Sequence, residues 1–340
     1  GLPHGRSPII SSMSGIEETL ARLAEIPNVH VSAGEPLAAH TRFGIGGPAE
    51  VYAESPRVES FLEALRLARA SGLNYAVIGS GTNLVVSDEG FRGLVLRFTG
   101  AKIETRGQRL LAEAGAELQN LVEAANNAGL AGLQTLAGIP GSVGGAVYGN
   151  AGAYGRALSE VVREVYFFDG AMVRALYNSQ CDFTYRDSVF KRRKDWIILT
   201  AEVALEPGDA PELQRRSEEI LALRVRKYPP ELRCAGSIFK NLLWRELPAP
   251  LRALVPAEVI REGKVPAAWF LDQAGCKGLA DGDLRVADYH ANLIYNAGAG
   301  TAHQLCALIS ELKGRVRERF GFELEEEVQY LGFGNSGVRS

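Results

Sequence analysis

Two glycine-rich stretches constrain this chain more than any other feature: Val77-Ile78-Gly79-Ser80-Gly81-Thr82-Asn83-Leu84 and Gly138-Ile139-Pro140-Gly141-Ser142-Val143-Gly144-Gly145-Ala146. Glycine lets successive backbone N–H groups turn toward an anion with no Cβ in the way, and neighbouring hydroxyls add side-chain donors. Together the stretches read as two halves of a diphosphate cradle; separately, each also reads as an ordinary glycine turn. The first contains Gly-x-Gly but lacks a third glycine. It continues through Val85-Val86 and Ser87-Asp88-Glu89-Gly90 into Leu94-Val95-Leu96, which is strand, turn, strand. A dinucleotide fingerprint must instead open a helix, so this context argues against a Rossmann domain.

The remaining composition narrows the ligand. At 340 residues the chain accommodates two or three domains, and its 46% hydrophobic content suits a globular protein. A formal net charge of −3 supplies no basic stripe, which argues against nucleic acid and an anionic membrane surface and for a small soluble ligand. The uncharged run Ala124–Gly155 has the length of a membrane span, but its glycines and Pro140 exclude one, and it reads as buried loop and strand around a ligand. Cys181, Cys234, Cys276 and Cys306 form no Cys-x-x-Cys pair and the histidines show no ligand spacing, so no metal site is expected. Sparse cysteine and the lack of a signal-peptide pattern point to the cytoplasm. The first methionine is Met13, so 1–12 is expected to be an expression scar.

Along the chain, Ser14-Gly15-Ile16-Glu17 has capping-box form ahead of Leu20, Leu23 and Ile26 at helical spacing. A second helix runs from Val58 toward Gly72, and a strand Tyr75–Ile78 enters the first glycine stretch. This makes 13–92 a small first unit. Short strands over 94–98, 165–168 and 196–203 with one helix near Leu118–Ala125 make 93–210 a second, α+β unit. A charged helix over 211–226, stopped by Pro229-Pro230, opens a third unit over 211–333. There, a helix capped by Thr301 buries Leu305, Leu308, Ile309, Leu312, Val316 and Phe320, and a last strand, 327–331, returns to the third unit's sheet. A flexible tail, 334–340, completes the chain.

Three further clusters mix polar and aromatic residues: Cys181–Ser188, Ala235–Asn241 and Gly321–Val328. Taken singly, Arg186 reads equally as a surface ion pair, Ser237 as a turn hydroxyl and Glu327 as a solvated strand-end charge. In their order along the chain, however, these clusters resemble the UDP-N-acetylenolpyruvoylglucosamine reductases. The resemblance also rests on Thr41-Arg42-Phe43-Gly44-Ile45-Gly46-Gly47-Pro48-Ala49, both glycine stretches, Pro266–Gly278 and His290-Ala291-Asn292. It implies noncovalent FAD between the first two units, in the α+β fold of vanillyl-alcohol-oxidase-type flavoproteins, and a third, α/β unit for the sugar nucleotide. Gly79, Ser80, Gly81, Thr82, Asn83 and Leu84, with Ile139, Pro140, Gly141, Ser142, Val143 and Gly145, are then expected around FAD. Lys240, Asn241, Lys277 and His290 are expected to face substrate.

The resemblance further implies reduction of an enolpyruvyl ether with NADPH as hydride source, in a monomeric bacterial enzyme of cell-wall synthesis. Hydride addition at C3 drives electrons into the carboxylate, which requires cationic stabilisation and a proton at C2. Arg186 offers the planar donor fork; Ser237 matches the proton donor and Glu327 the glutamate before valine. Leu242 and Glu326 stand where prolines are common, and the acidic run 325–327 leaves the register of the glutamate open. The short span from Tyr185 to Ser237 resembles the family's subtype without a tyrosine-bearing loop. His40 could suggest a covalent flavin link, but a structural role is expected. An oxygen-using flavin oxidase and a nonenzymatic flavin or sugar-nucleotide binder remain the competing classes.

Overall fold

The computed structural model describes residues 14–334; the expected scar at 1–12 and the tail beyond 334 lie outside the described residues. Ser14 Oγ accepts from Glu17 N while the Glu17 carboxylate accepts from Ser14 N, which starts the helix Gly15–Ala24 as the sequence pattern requires. This helix and Val58–Ala70 cover a four-stranded mixed sheet ordered His30–Pro36, Pro48–Ser55, Phe91–Phe98, Tyr75–Ile78. Phe61 and Leu65 of the second helix pack on Val51, Leu94 and Leu96. Each such fully buried side chain contributes about 2 kcal/mol of apolar transfer.

The second unit is a five-stranded antiparallel sheet, ordered Val173–Tyr177, Val162–Phe168, Ile197–Ala204, Arg109–Glu113, Ile103–Arg106. The helices Leu118–Asn127 and Val143–Tyr148 share its core. The second of these corrects the expectation of loop and strand throughout 124–155: Ser142 Oγ accepts from Gly145 N and caps a short helix despite the glycines. Phe168 and Leu199 of this sheet also enter the core of the first unit, so the two units share a packed interface.

The third unit carries an antiparallel sheet ordered Cys234–Ser237, His290–Asn296, Leu284–Ala287, Ala280–Asp281, with helices Ala267–Gln273 and Ala302–Phe320 against it. Thr301 caps the long helix in a capping box and Gly321, at φ 75°, ends it. Its expected apolar face is buried from Leu305 to Val316, and Phe320 lies edge-on to Phe270.

Two assignments change. The helix Ala210–Lys227, expected to open the third unit, packs on the second: Ile220 joins that core, and buried Asn126 Nδ2 donates to Ser217 Oγ at 2.7 Å. The boundary therefore falls after it, at the turn with Pro229-Pro230. The last strand, Gln329–Leu331, does not join the third sheet. It pairs in parallel with Leu84–Val86, whose three residues are all buried and need a cover along their open edge. The chain's end thus stitches the third unit to the first glycine loop.

Candidate active site

Both glycine stretches meet. Thr82 Oγ1 lies 3.5 Å from Pro140 O, and a Cβ on Gly141, at φ 119°, would stand 2.8 Å from Thr82 Oγ1. At Gly81, with φ 68°, a Cβ would overlap the carbonyl oxygen of His40. These backbones approach one another only because side chains are missing, and Ser80 and Thr82 bring hydroxyls to the same place. A cradle of this kind fits a diphosphate. The remaining members divide by contact. Ser142 Oγ is engaged as a helix cap, and Leu84 packs into a small core with Ile78 and Leu331. Asn83 binds the C-terminal segment: its Nδ2 donates to Glu327 O and its carbonyl accepts from Gln329 N, both at 2.9 Å. His40 stacks on Tyr52 and its Nε2 lies 2.9 Å from Glu35 Oε1.

Arg186 occupies the tip of a tight turn closed by reciprocal hydrogen bonds between Thr184 and Asp187. Its φ of 56° is left-handed, which costs a non-glycine residue about 1 kcal/mol. Neighbours hold the turn in place: Asn150 Nδ2 donates to Thr184 O, Ser188 Oγ to Tyr148 O, and Lys191 Nζ to Arg186 O. Strain kept by this many contacts aims the guanidinium. Arg186 Nε donates to Glu327 Oε1 at 2.8 Å and Nη2 to Gly152 O at 3.1 Å. Among the described residues Nη1 has no hydrogen-bond partner.

The acidic run is sorted by strand geometry. Residues 325–327 run antiparallel to 238–240, with Lys240 N donating to Glu325 O and Glu327 N to Ile238 O. Side chains alternate faces along such a segment. Glu325 reaches Lys240 and Glu327 reaches Arg186, while Glu326 turns the other way to Lys313 and Tyr330. Of the three carboxylates, Glu327 is the one that reaches Arg186.

Ser237 ends its strand opposite Leu293, after a register shift that contains Gly236 at φ 71°. Such a bulge re-aims the residue that follows it. Ser237 Oγ lies 2.9 Å from the hydroxyl of Tyr228. Beyond it, buried Asn292 clamps Phe239 with two 2.9 Å hydrogen bonds, which accounts for the asparagine of the His290-Ala291-Asn292 block. Asn241 N donates to Tyr185 OH and Asn241 Oδ1 accepts from Ala267 N, tying the Arg186 turn to the third unit. Lys277 pairs with Asp272 at 3.0 Å.

His290 Nδ1 lies 3.4 Å from Asn292 N and accepts from it, which puts the ring proton on Nε2, a buried atom without a hydrogen-bond partner. Burial, reinforced by Lys227 and Lys277, pushes its pKa from 6.5 down to about 3. Folding therefore binds fewer protons than unfolding between those values, and the stability present above pH 6.5 is lost progressively as pH falls toward 3. We expect the thermal midpoint of His290→Gln to fall less than the parent's on acidification over this window; parallel curves would contradict this.

Sequence reasoning missed three residues. One is Tyr228, whose hydroxyl meets that of Ser237. Lys191 is held below the usual lysine range by burial and by Lys240. Arg224 is lowered by burial, and its Nε is buried without a partner. An arginine within a charged helix looks solvated in sequence, and only the packing of 210–227 on the second unit reveals Arg224; Lys191 lies apart from it, in the short helix Val189–Arg192 behind the Arg186 turn.

A family model described as "UDP-N-acetylenolpyruvoylglucosamine reductase, C-terminal domain" matches residues 228–331, and one described as "FAD binding domain" matches 49–172. The UDP-N-acetylenolpyruvoylglucosamine reductase of Solibacter usitatus is 61% identical, covering 92% of this chain and 100% of its own. That of Bacillus subtilis is 33% identical, covering 93% and 99%. The crystal structure of the Thermus caldophilus enzyme superposes with a TM-score of 0.69 at 31% identity, over 89% of this chain and 98% of that one.

Proposed function

Since the chain belongs to the UDP-N-acetylenolpyruvoylglucosamine reductase family, we propose that it reduces the enolpyruvyl group of UDP-N-acetylglucosamine enolpyruvate to UDP-N-acetylmuramate, with FAD as cofactor and NADPH as hydride source. The observation that carries the reading is the junction of three parts of the chain. Arg186 of the second unit, Glu327 of the C-terminal segment and the strand end bearing Ser237 are joined by the 2.8 Å ion pair and the Glu327 N to Ile238 O hydrogen bond of 2.7 Å. The same segment is anchored to the first glycine loop through Asn83.

Bound FAD supplies the hydride that adds to C3. Arg186 holds the substrate carboxylate with its remaining donors and stabilises the charge that grows there. Glu327 fixes the plane of the guanidinium through Nε and keeps the arginine from collapsing onto other acceptors. Ser237 gives its proton to C2. His290 Nε2–H, Lys240, Asn241 and Lys277 bind the sugar nucleotide; the unpartnered buried donor on His290 supports this for that residue. We place the enzyme, as a monomer, in the bacterial cytoplasm, and its four free cysteines are compatible with a reducing compartment.

Ser80, Gly81, Thr82 and Gly141 form the diphosphate cradle. Gly81→Ala puts a Cβ into the His40 carbonyl at a left-handed φ. We expect that variant to purify with little flavin, read from the ratio of flavin to protein absorbance, against a parent that retains it; full occupancy would remove the loop from the cofactor site. The function itself is tested by reducing the protein anaerobically with NADPH and mixing it with the enolpyruvyl substrate. Return of the oxidised-flavin absorbance supports the reductase, whereas a band that stays bleached until air is admitted indicates an oxidase.

A further inference from the structure

Ser237 is a poor acid for the task just assigned to it. An aliphatic hydroxyl resembles water, with a pKa near 15.7 in bulk, whereas a phenol lies near 10. A serine that released its proton unaided would leave a strongly basic alkoxide in a partly buried site. The structure places one group against this hydroxyl: Tyr228 OH, 2.9 Å from Ser237 Oγ. Among the described residues neither oxygen has another hydrogen-bond partner.

Tyr228 is itself held firmly. It terminates the helix Ala210–Lys227 with its N–H donating to Arg224 O at 2.7 Å, and Pro229-Pro230 follow directly. A cation lies over its ring. Lys227 Nζ lies 5.1 Å from the ring centroid, and Arg224 is one helical turn before the tyrosine, its side chain buried. Tyr228 lies outside every sequence block that marks the site, and no part of the reaction described above uses it.

We propose that Tyr228 positions Ser237 Oγ and resupplies its proton, making the two hydroxyls a relay; this deepens the reading of Ser237 given above and rests on it. As the electron pair of the reduced substrate forms the C2–H bond, the Ser237 O–H bond breaks. The serine oxygen takes the phenolic proton, and the charge passes to the Tyr228 phenol, over whose ring Lys227 lies. Water reprotonates the phenolate once product leaves. No electrons are exchanged within the relay, and the proton added to carbon is replaced from solvent. The effective acid is then the phenol rather than the alcohol. Tyr228 acts through Ser237 and is a positioning residue, not a catalytic one.

The test is Tyr228→Phe, which removes one oxygen and keeps the ring. Reduced protein is mixed with UDP-N-acetylglucosamine enolpyruvate in single turnovers across mixtures of light and heavy water. The parent should show two protons in flight; Tyr228→Phe should be slower by about 10- to 100-fold and show one. In a Ser237→Ala background the same change should have no additional effect, since the relay is already cut. Affinity for UDP-N-acetylmuramate, measured calorimetrically, should stay within about threefold of the parent, which a packing or binding defect would not allow. A Tyr228→Phe variant that keeps pace with the parent, losses that add in the double variant, or a large loss of product affinity would overturn the relay. A parent that fails to reoxidise with this substrate would bring down the functional reading, and the relay with it.

Discussion

Ser237→Ala is expected to slow reoxidation of the reduced enzyme by its enolpyruvyl substrate about 10³-fold, within the range that a positioned general acid supplies. Reduction by NADPH should proceed at the parental rate, because no proton is delivered to carbon in that step. The change is sterically mild: Ser237 closes a strand behind Gly236, and its backbone is held by the pairing with Leu293, which alanine preserves. The variant should therefore unfold at the parental temperature. Its loss leaves the Tyr228 hydroxyl facing a methyl group, without the partner that links it to carbon. Stopped-flow traces of the two half-reactions decide the matter. Equal loss in both would assign Ser237 to binding or folding and remove it from the chemistry. Ser237→Cys, which restores an acidic proton at the same position, should recover part of the second half-reaction and none of a packing defect.

What could be read in the sequence divides along a physical line. The helices beginning at Ser14 and Thr301 were legible because caps and apolar spacing are local, and both caps form as expected. The glycine loops were legible because only a close backbone approach requires so many glycines, and Gly81 and Gly141 meet that description. By contrast, the stripe on Ala210–Lys227 specifies that one face is buried without specifying against what. Ser217 and Ile220 turned out to face the second unit. The last strand was equally ambiguous, since Gln329-Tyr330-Leu331 satisfies any open edge. The edge it covers belongs to Leu84–Val86, far away in sequence and bare without it.

For the candidate site, the sequence offers residues but no arrangement. Order along the chain singles out Arg186, Ser237 and Glu327, and within the run Glu325-Glu326-Glu327 only adjacency to Val328 favours the last. Their assignment follows from the antiparallel pairing with 238–240 and its two-residue period. Asn83 was expected among the residues around FAD, and the contacts that engage it are with the C-terminal segment. Tyr228 had no signature at all, because a tyrosine after a charged helix is unremarkable until the fold brings a serine to its hydroxyl.

The second large effect concerns the Arg186–Glu327 pair. Arg186→Lys keeps the charge and suffers the same left-handed φ, so the cost of the strained turn is common to both proteins and cancels in the comparison. What is lost is the fork: lysine cannot donate at once to Glu327 Oε1, to Gly152 O and to a substrate carboxylate in one plane. Reoxidation by the enolpyruvyl substrate should fall by about 10² to 10³-fold, the scale of removing a donor aimed at developing charge. Flavin should remain bound, since the guanidinium hydrogen-bonds to Glu327 and Gly152 and to neither glycine loop. Glu327→Gln should fall less, because an amide oxygen still accepts from Nε and holds the guanidinium in plane. In the pair of variants combined the losses should not add, as one residue acts through the other. Flavin content, thermal midpoint and the two half-reaction rates separate the possibilities. Loss of flavin in Arg186→Lys would make the arginine a structural pin between units. Losses that add for the pair would mean that Glu327 works on substrate independently of the arginine it holds.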